Sequence, residues 1–163
     1  MEKDRLIYTI SRFDHYFESV NNKTAVYIAI NTFVLSGVLA SYVNIDKYIK
    51  EYTDIFNLIL CAILGLGLIT LIILVLASIP YFSKKPNSLF YFGTIGTLSK
   101  EDFIEQSKKY DSKDELKDLR SQVHILSKGL NKKFERLKLS GRLLVFQFIG
   151  LVPLIIIFLI NKF

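Results

Sequence analysis

Residues 55–82 read IFNLILCAILGLGLITLIILVLASIPYF and contain no Asp, Glu, Lys or Arg. A helix crosses the hydrocarbon core of a bilayer with about 20 predominantly apolar residues, so this run is long enough to cross with tilt. Two more charge-free runs, Thr24–Val43 and Leu143–Ile160, flank it. Three spans in 163 residues predict an all-α membrane protein. The expected organisation is one membrane domain: a helical extension over 1–23, a span over 24–43, a loop over 44–54, a span over 55–82, a polar segment over 83–142 and a span over 143–160. A composition that is 51% hydrophobic excludes disorder.

Charge predicts the topology. Residues 1–23 carry Lys3, Arg5, Arg12 and Lys23, and residues 83–142 carry fourteen Lys and Arg. The loop 44–54 sets Lys47 and Lys50 against Asp46, Glu51 and Asp54. The positive-inside rule then places the N-terminus and the long polar segment in the cytoplasm. The net charge of +6 follows from that bias and points to anionic lipid rather than nucleic acid. The lipid bilayer is the expected partner.

The polar segments are patterned as helices. Leu6, Ile10, Phe13, Phe17 and Val20 are spaced 4, 3, 4, 3, a heptad seam. It predicts one helix from about Asp4 to about Val43. Ser99 with Asp102, and Ser112 with Glu115, read as helix N-terminal capping pairs. Beyond the second pair, Leu116, Leu119, Val123, Leu126, Leu130, Phe134 and Leu137 form an apolar stripe. A helix there runs into the third span despite Gly129 and Gly141. The first and third spanning helices thus extend into a cytoplasmic helical stalk whose two apolar seams pair. Asn87–Leu98 reads as a loop anchored by aromatics.

Within the spans, polar residues are costly and face protein. Asn31 is an interhelical hydrogen-bond residue or a pore-lining one. Thr32, Ser36 and Ala40 are four residues apart, with Gly37 beside them, a pattern that permits close helix approach. Packing within one protomer is the first expectation and a homo-oligomer the second. Gln147 gives the third span a polar side. Lys128, Lys132, Lys133, Arg136, Lys138 and Arg142 suit anionic lipid or a ligand phosphate. Cys61 lies inside a span, and His15 and His124 are isolated, so neither a metal site nor a cofactor is expected. No hydrolase, phosphate-loop or metalloprotease motif occurs, and an enzyme is not expected.

The order of features is similar to a known family. Asn21-Asn22-Lys23-Thr24-Ala25 opens the first span, with Asn31 further in. Pro86-Asn87-Ser88-Leu89-Phe90-Tyr91-Phe92-Gly93-Thr94-Ile95 follows the second span, then Leu98-Ser99-Lys100-Glu101-Asp102-Phe103. Gln122, Leu126-Ser127 and Lys132-Lys133-Phe134 precede the third. This resembles the Pycsar transmembrane effector family of bacterial anti-phage defence over roughly residues 14–155. Members often carry an acidic residue just before the lysine, where this chain has Asn21 and Asn22. The resemblance implies an antiviral effector of the bacterial inner membrane. A partner cyclase makes a cyclic pyrimidine mononucleotide, cyclic CMP or cyclic UMP, as activating ligand. The effector then impairs the membrane, and infection aborts. Lys23, Asn87, Phe90 and Phe92 are the residues expected to hold the nucleotide. The alternative is a non-toxic membrane scaffold whose stalk binds a protein.

Overall fold

The computed structural model describes residues 1–80 and 88–162. Helix α1 runs Glu2–Ile45, α2 Thr53–Ser78, α3 Phe92–Ile95, α4 Lys100–Lys109 and α5 Ser112–Lys162, with a 3-10 turn at Asp46–Tyr48. Helix takes 89% of the described residues, with no strand among them. Helices α1, α2 and α5 are each long and apolar enough to cross a membrane.

Local chemistry explains the boundaries and corrects several expectations. Helix α2 stops at Ser78 rather than running to Phe82. Ile79 precedes Pro80 and is extended (φ −60°, ψ 131°), because proline disfavours the helical conformation in the residue before it. The expected end at residue 82, and Lys84 to Asn87, lie outside the described residues. Helix α4 is capped as expected: Ser99 Oγ accepts from the Asp102 amide at 3.0 Å and donates to the Asp102 carboxylate at 2.7 Å. The cap of α5 is Asp111 rather than Ser112. Its Oδ1 accepts from the amides of Lys113 and Asp114, both at 2.8 Å; a carboxylate meets two free amides and the positive helix end at once. Gly129, Gly141 and Pro153 do not break α5. A short helical turn, α3, interrupts the expected loop.

The chain divides into two compact units, Met1–Ser19 with Pro80–Lys132, and Val20–Ile79 with Lys133–Phe163. In the first, the N-terminal part of α1 pairs with α5. Arg120 donates twice to the Glu2 carboxylate, at 2.9 and 2.8 Å, and Lys3 donates to Glu115 at 2.7 Å.

The second unit is a three-helix bundle. Its inward residues on α2 are Phe56, Leu60, Ile63, Gly67, Thr70, Leu74 and Ala77, alternately four and three apart. Those on α5 continue the rule: Lys133, Leu137, Ser140, Leu144 and Gln147 are all buried. This is the spacing of left-handed coiled-coil packing. It corrects the apolar stripe, since Phe134 is exposed and Lys133 takes the inward position. On α1 the heptad continues past Val20 through Thr24 and Asn31. Thr32, Ser36, Gly37 and Ala40 are therefore exposed on the protomer, and the expected packing of this small face within one protomer does not occur. Ile49, Phe56, Leu60, Ile63, Leu154 and Ile157 form an apolar core toward the α1–α2 loop. At that end Asn161 Oδ1 accepts from the amides of Lys50 (2.8 Å) and Glu51 (2.7 Å), tying α5 to the loop.

Candidate functional site in the spanning bundle

A core in lipid is ordinarily as apolar as its surroundings, since polar groups there need partners. This one departs from that rule. The largest fully buried side chains are Leu74, Gln147, Val20, Asn31, Thr24, Thr70 and Ser140, and five of these seven are polar. The heptad explains the arrangement. Thr24 and Asn31 are seven apart on α1, and Lys133, Ser140 and Gln147 are seven apart on α5. Each set therefore forms one line down its helix, facing the bundle interior.

Asn31 and Gln147 meet at Gly67. The Asn31 amide donates to the Gly67 carbonyl at 3.0 Å. A Cβ on Gly67 would collide with the ends of the Gln147 and Leu35 side chains, so glycine lets both reach the α2 backbone here. Thr24 and Thr70 satisfy their hydroxyls on their own helices, through the carbonyls of Val20 and Leu66. Asn31 Oδ1, Ser140 Oγ and both polar atoms of Gln147 are buried with no hydrogen-bond partner among the described residues.

The C-terminal end of α2 closes the line with charge. Lys133, 5% exposed, donates to the Ala77 carbonyl at 2.6 Å and to Asn21 Oδ1 at 3.1 Å. Arg136 donates to the Leu76 carbonyl. Both cations thus neutralise the negative end of the α2 dipole. Lys133 draws residues of all three helices together, Asn21 from α1 and Ala77 from α2. Across the bundle, α1, α2 and α5 also leave an open apolar groove of about 670 Å³ beside Gly37, Phe33 and Phe148, a surface suited to acyl chains.

The residues expected to hold a nucleotide fall in different units. Lys23 belongs to the bundle and is exposed, while Phe90 and Phe92 belong to the other unit, 53% and 69% exposed. Asn87 lies outside the described residues. Sequence reasoning missed a polar cluster beside these aromatics. Tyr110 donates to Asp118 Oδ2 at 2.7 Å, Gln122 donates to Ser88 Oγ, and the rings of Phe90 and Tyr110 pack in a T-shaped pair with centroids 6.3 Å apart. Ser88 and Asp118 are buried. Gln122 appeared in the sequence only as part of a family-like pattern. The bundle line had a visible signal, the sevenfold spacing of Lys133, Ser140 and Gln147.

Burial, with the Asp118 carboxylate close behind, holds the Tyr110 hydroxyl well above the ordinary tyrosine value of 10.0. A raised pKa contributes stability that is complete below pH 10.0 and is lost as pH rises above it, because the unfolded tyrosine ionises first. Tyr110→Phe is expected to lower stability at neutral pH by about 1–3 kcal/mol, leaving a buried carboxylate short of a donor. The gap between wild type and variant should close as pH rises past 10. Denaturant titrations in detergent, followed by circular dichroism, check both points; a pH-independent gap refutes the assignment.

Among the described residues no cluster of three metal-ligating side chains occurs. Neither a curated protein nor a solved structure matches the chain significantly. The model of the Pycsar effector protein domain matches residues 5–160. That domain is not a known catalytic family. With a match across nearly its whole length and three helices able to span a membrane, the chain belongs to the Pycsar effector family, and its general role is that of a membrane-embedded anti-phage effector.

Proposed function

We propose that this protein impairs the bacterial inner membrane when a partner cyclase delivers cyclic CMP or cyclic UMP, and that growth stops before phage are released. The supporting observation is a spanning bundle whose largest fully buried side chains are mainly polar. An anchor needs no such interior, whereas a structure that must admit water or ions does. The basic bias of residues 1–23 and 83–142 supports a cytoplasmic N-terminus, on the side where the nucleotide is made. There Phe90 and Phe92 offer exposed faces for a base to stack on. Thr32, Ser36 and Ala40, exposed along one side of α1, provide a close-approach face for a second copy. The nucleotide acts by binding one arrangement of the helices more tightly than another.

Membrane potential in bacteria carrying the protein and a switchable cyclase tests this reading. Depolarisation is expected only when protein and cyclic nucleotide are both present. The double change Phe90→Ala, Phe92→Ala should shift the response to higher nucleotide levels at unchanged membrane abundance. Full potential with either cyclase at confirmed expression refutes the reading and favours the scaffold.

A further inference from the structure

We infer that the interior of a single protomer's three-helix bundle is a permeation path for water and small monovalent cations, closed by an apolar gate centred on Ile63. This deepens the reading above and rests on it for the trigger alone. Two observations carry it. One is the set of orphaned groups in the bundle interior: Asn31 Oδ1, Ser140 Oγ and both polar atoms of Gln147 are fully buried and unpartnered among the described residues. Amide and hydroxyl groups are the donors and acceptors that take up water or replace the hydration shell of a small cation. The other is where that chemistry stops. Gly150 lies one turn beyond Gln147, and a Cβ there would stand 3.0 Å from Ile63. Ile63, Leu60, Phe56, Leu154 and Ile157 then pack into an apolar core, and the orphaned Asn57 Oδ1 at that end lies off the inward spacing of α2.

The polar positions occupy the half of the bundle from Lys133 to the Asn31–Gly67–Gln147 level. The apolar core occupies the half toward the α1–α2 loop. A hydrophobic constriction in series with a wettable passage holds back ions by dewetting and needs no moving plug. Small rotations or separations of the helices suffice to wet it. The path lies within one chain because the heptad turns Thr24, Asn31, Ser140 and Gln147 inward rather than toward the faces left for other copies. Polarity at Ile63 should therefore open the path without any nucleotide.

The experiment expresses Ile63→Asn, and the milder Ile63→Ser, in bacteria with no cyclase and reads membrane potential with a dye. Loss of potential is expected for both at wild-type membrane abundance. The second change Gln147→Leu should restore it. Leu58→Asn, the same chemistry on an exposed position of α2, should leave potential intact. Equal depolarisation by Leu58→Asn, or full potential with both Ile63 variants, overturns the inference. Cysteine labelling gives an independent reading in a Cys61→Ala background. Ser140→Cys should react with a small cationic thiosulfonate and Val145→Cys, on the exposed face, should not; an unreactive Ser140→Cys overturns the path. Leakage through Ile63→Asn beside a wild type that ignores both cyclases keeps the path and removes the nucleotide trigger. A wild type that responds while the Ile63 variants stay tight removes the path and keeps the trigger.

Discussion

Gly67→Leu is expected to destabilise the bundle by on the order of 3 kcal/mol, the upper end of what overpacking a close contact costs. The position of its first side-chain atom is already taken by the Gln147 amide and Leu35. Three further carbons have nowhere to go except between the helices. Separation would also lengthen the Asn31 bond to the Gly67 carbonyl, one of the few polar interactions that tie α1 to α2. Gly67→Ala separates the two effects. Its single methyl group displaces only the ends of two flexible side chains, so a cost of about 1 kcal/mol is expected. SDS titration of the detergent-solubilised protein, followed by circular dichroism, gives both values. Equal stability of wild type and Gly67→Leu shows that the helices do not meet at this residue.

A second large effect is expected at Lys133. Its ammonium is buried and bonded to two neutral oxygens, Asn21 Oδ1 and the Ala77 carbonyl. Lys133→Glu puts a carboxylate against a carbonyl at the negative end of α2 and leaves a buried charge uncompensated. A loss of about 3–5 kcal/mol follows. Adding Asn21→Lys in that background supplies the missing countercharge and should recover part of the loss. Lys133→Met, similar in volume and uncharged, should stay within about 1 kcal/mol of wild type, since well-packed apolar replacements of buried charges are often neutral or better. The same SDS titration ranks the variants; a harmless Lys133→Glu shows that the side chain turns to water instead.

The three spans and the two long helices were legible because they are written in periodicities many residues long. Leu6 to Val20 marked the inward face of α1, and extending that spacing by hand leads to Thr24 and Asn31. Single positions were harder. Hydropathy favours Phe134 over Lys133, yet register is shared along a whole helix and outweighs the preference of one residue. Asp111 was hidden as a cap because Ser112 and Glu115 satisfy the usual pattern one residue later. The meeting of Asn31, Gly67 and Gln147 needs knowledge of which levels of three helices coincide, and nothing local encodes that. Ser88, Tyr110, Asp118 and Gln122 were illegible for a similar reason: they come from a loop, a helix end and two turns of α5, with no common spacing.

The spacing of α1 from Val20 to Asn31 is uninterrupted within the bundle. A helix without proline or glycine over that stretch behaves as a single shaft whose rotational phase is common to all its residues. One inserted residue anywhere between Val20 and Thr24 would advance everything beyond it by about 100°, turning Thr24 and Asn31 toward lipid. Seven inserted residues would return them nearly to their starting direction. The first helix can therefore change length across that stretch only in steps of about two turns, and its length in present-day relatives should be quantised accordingly.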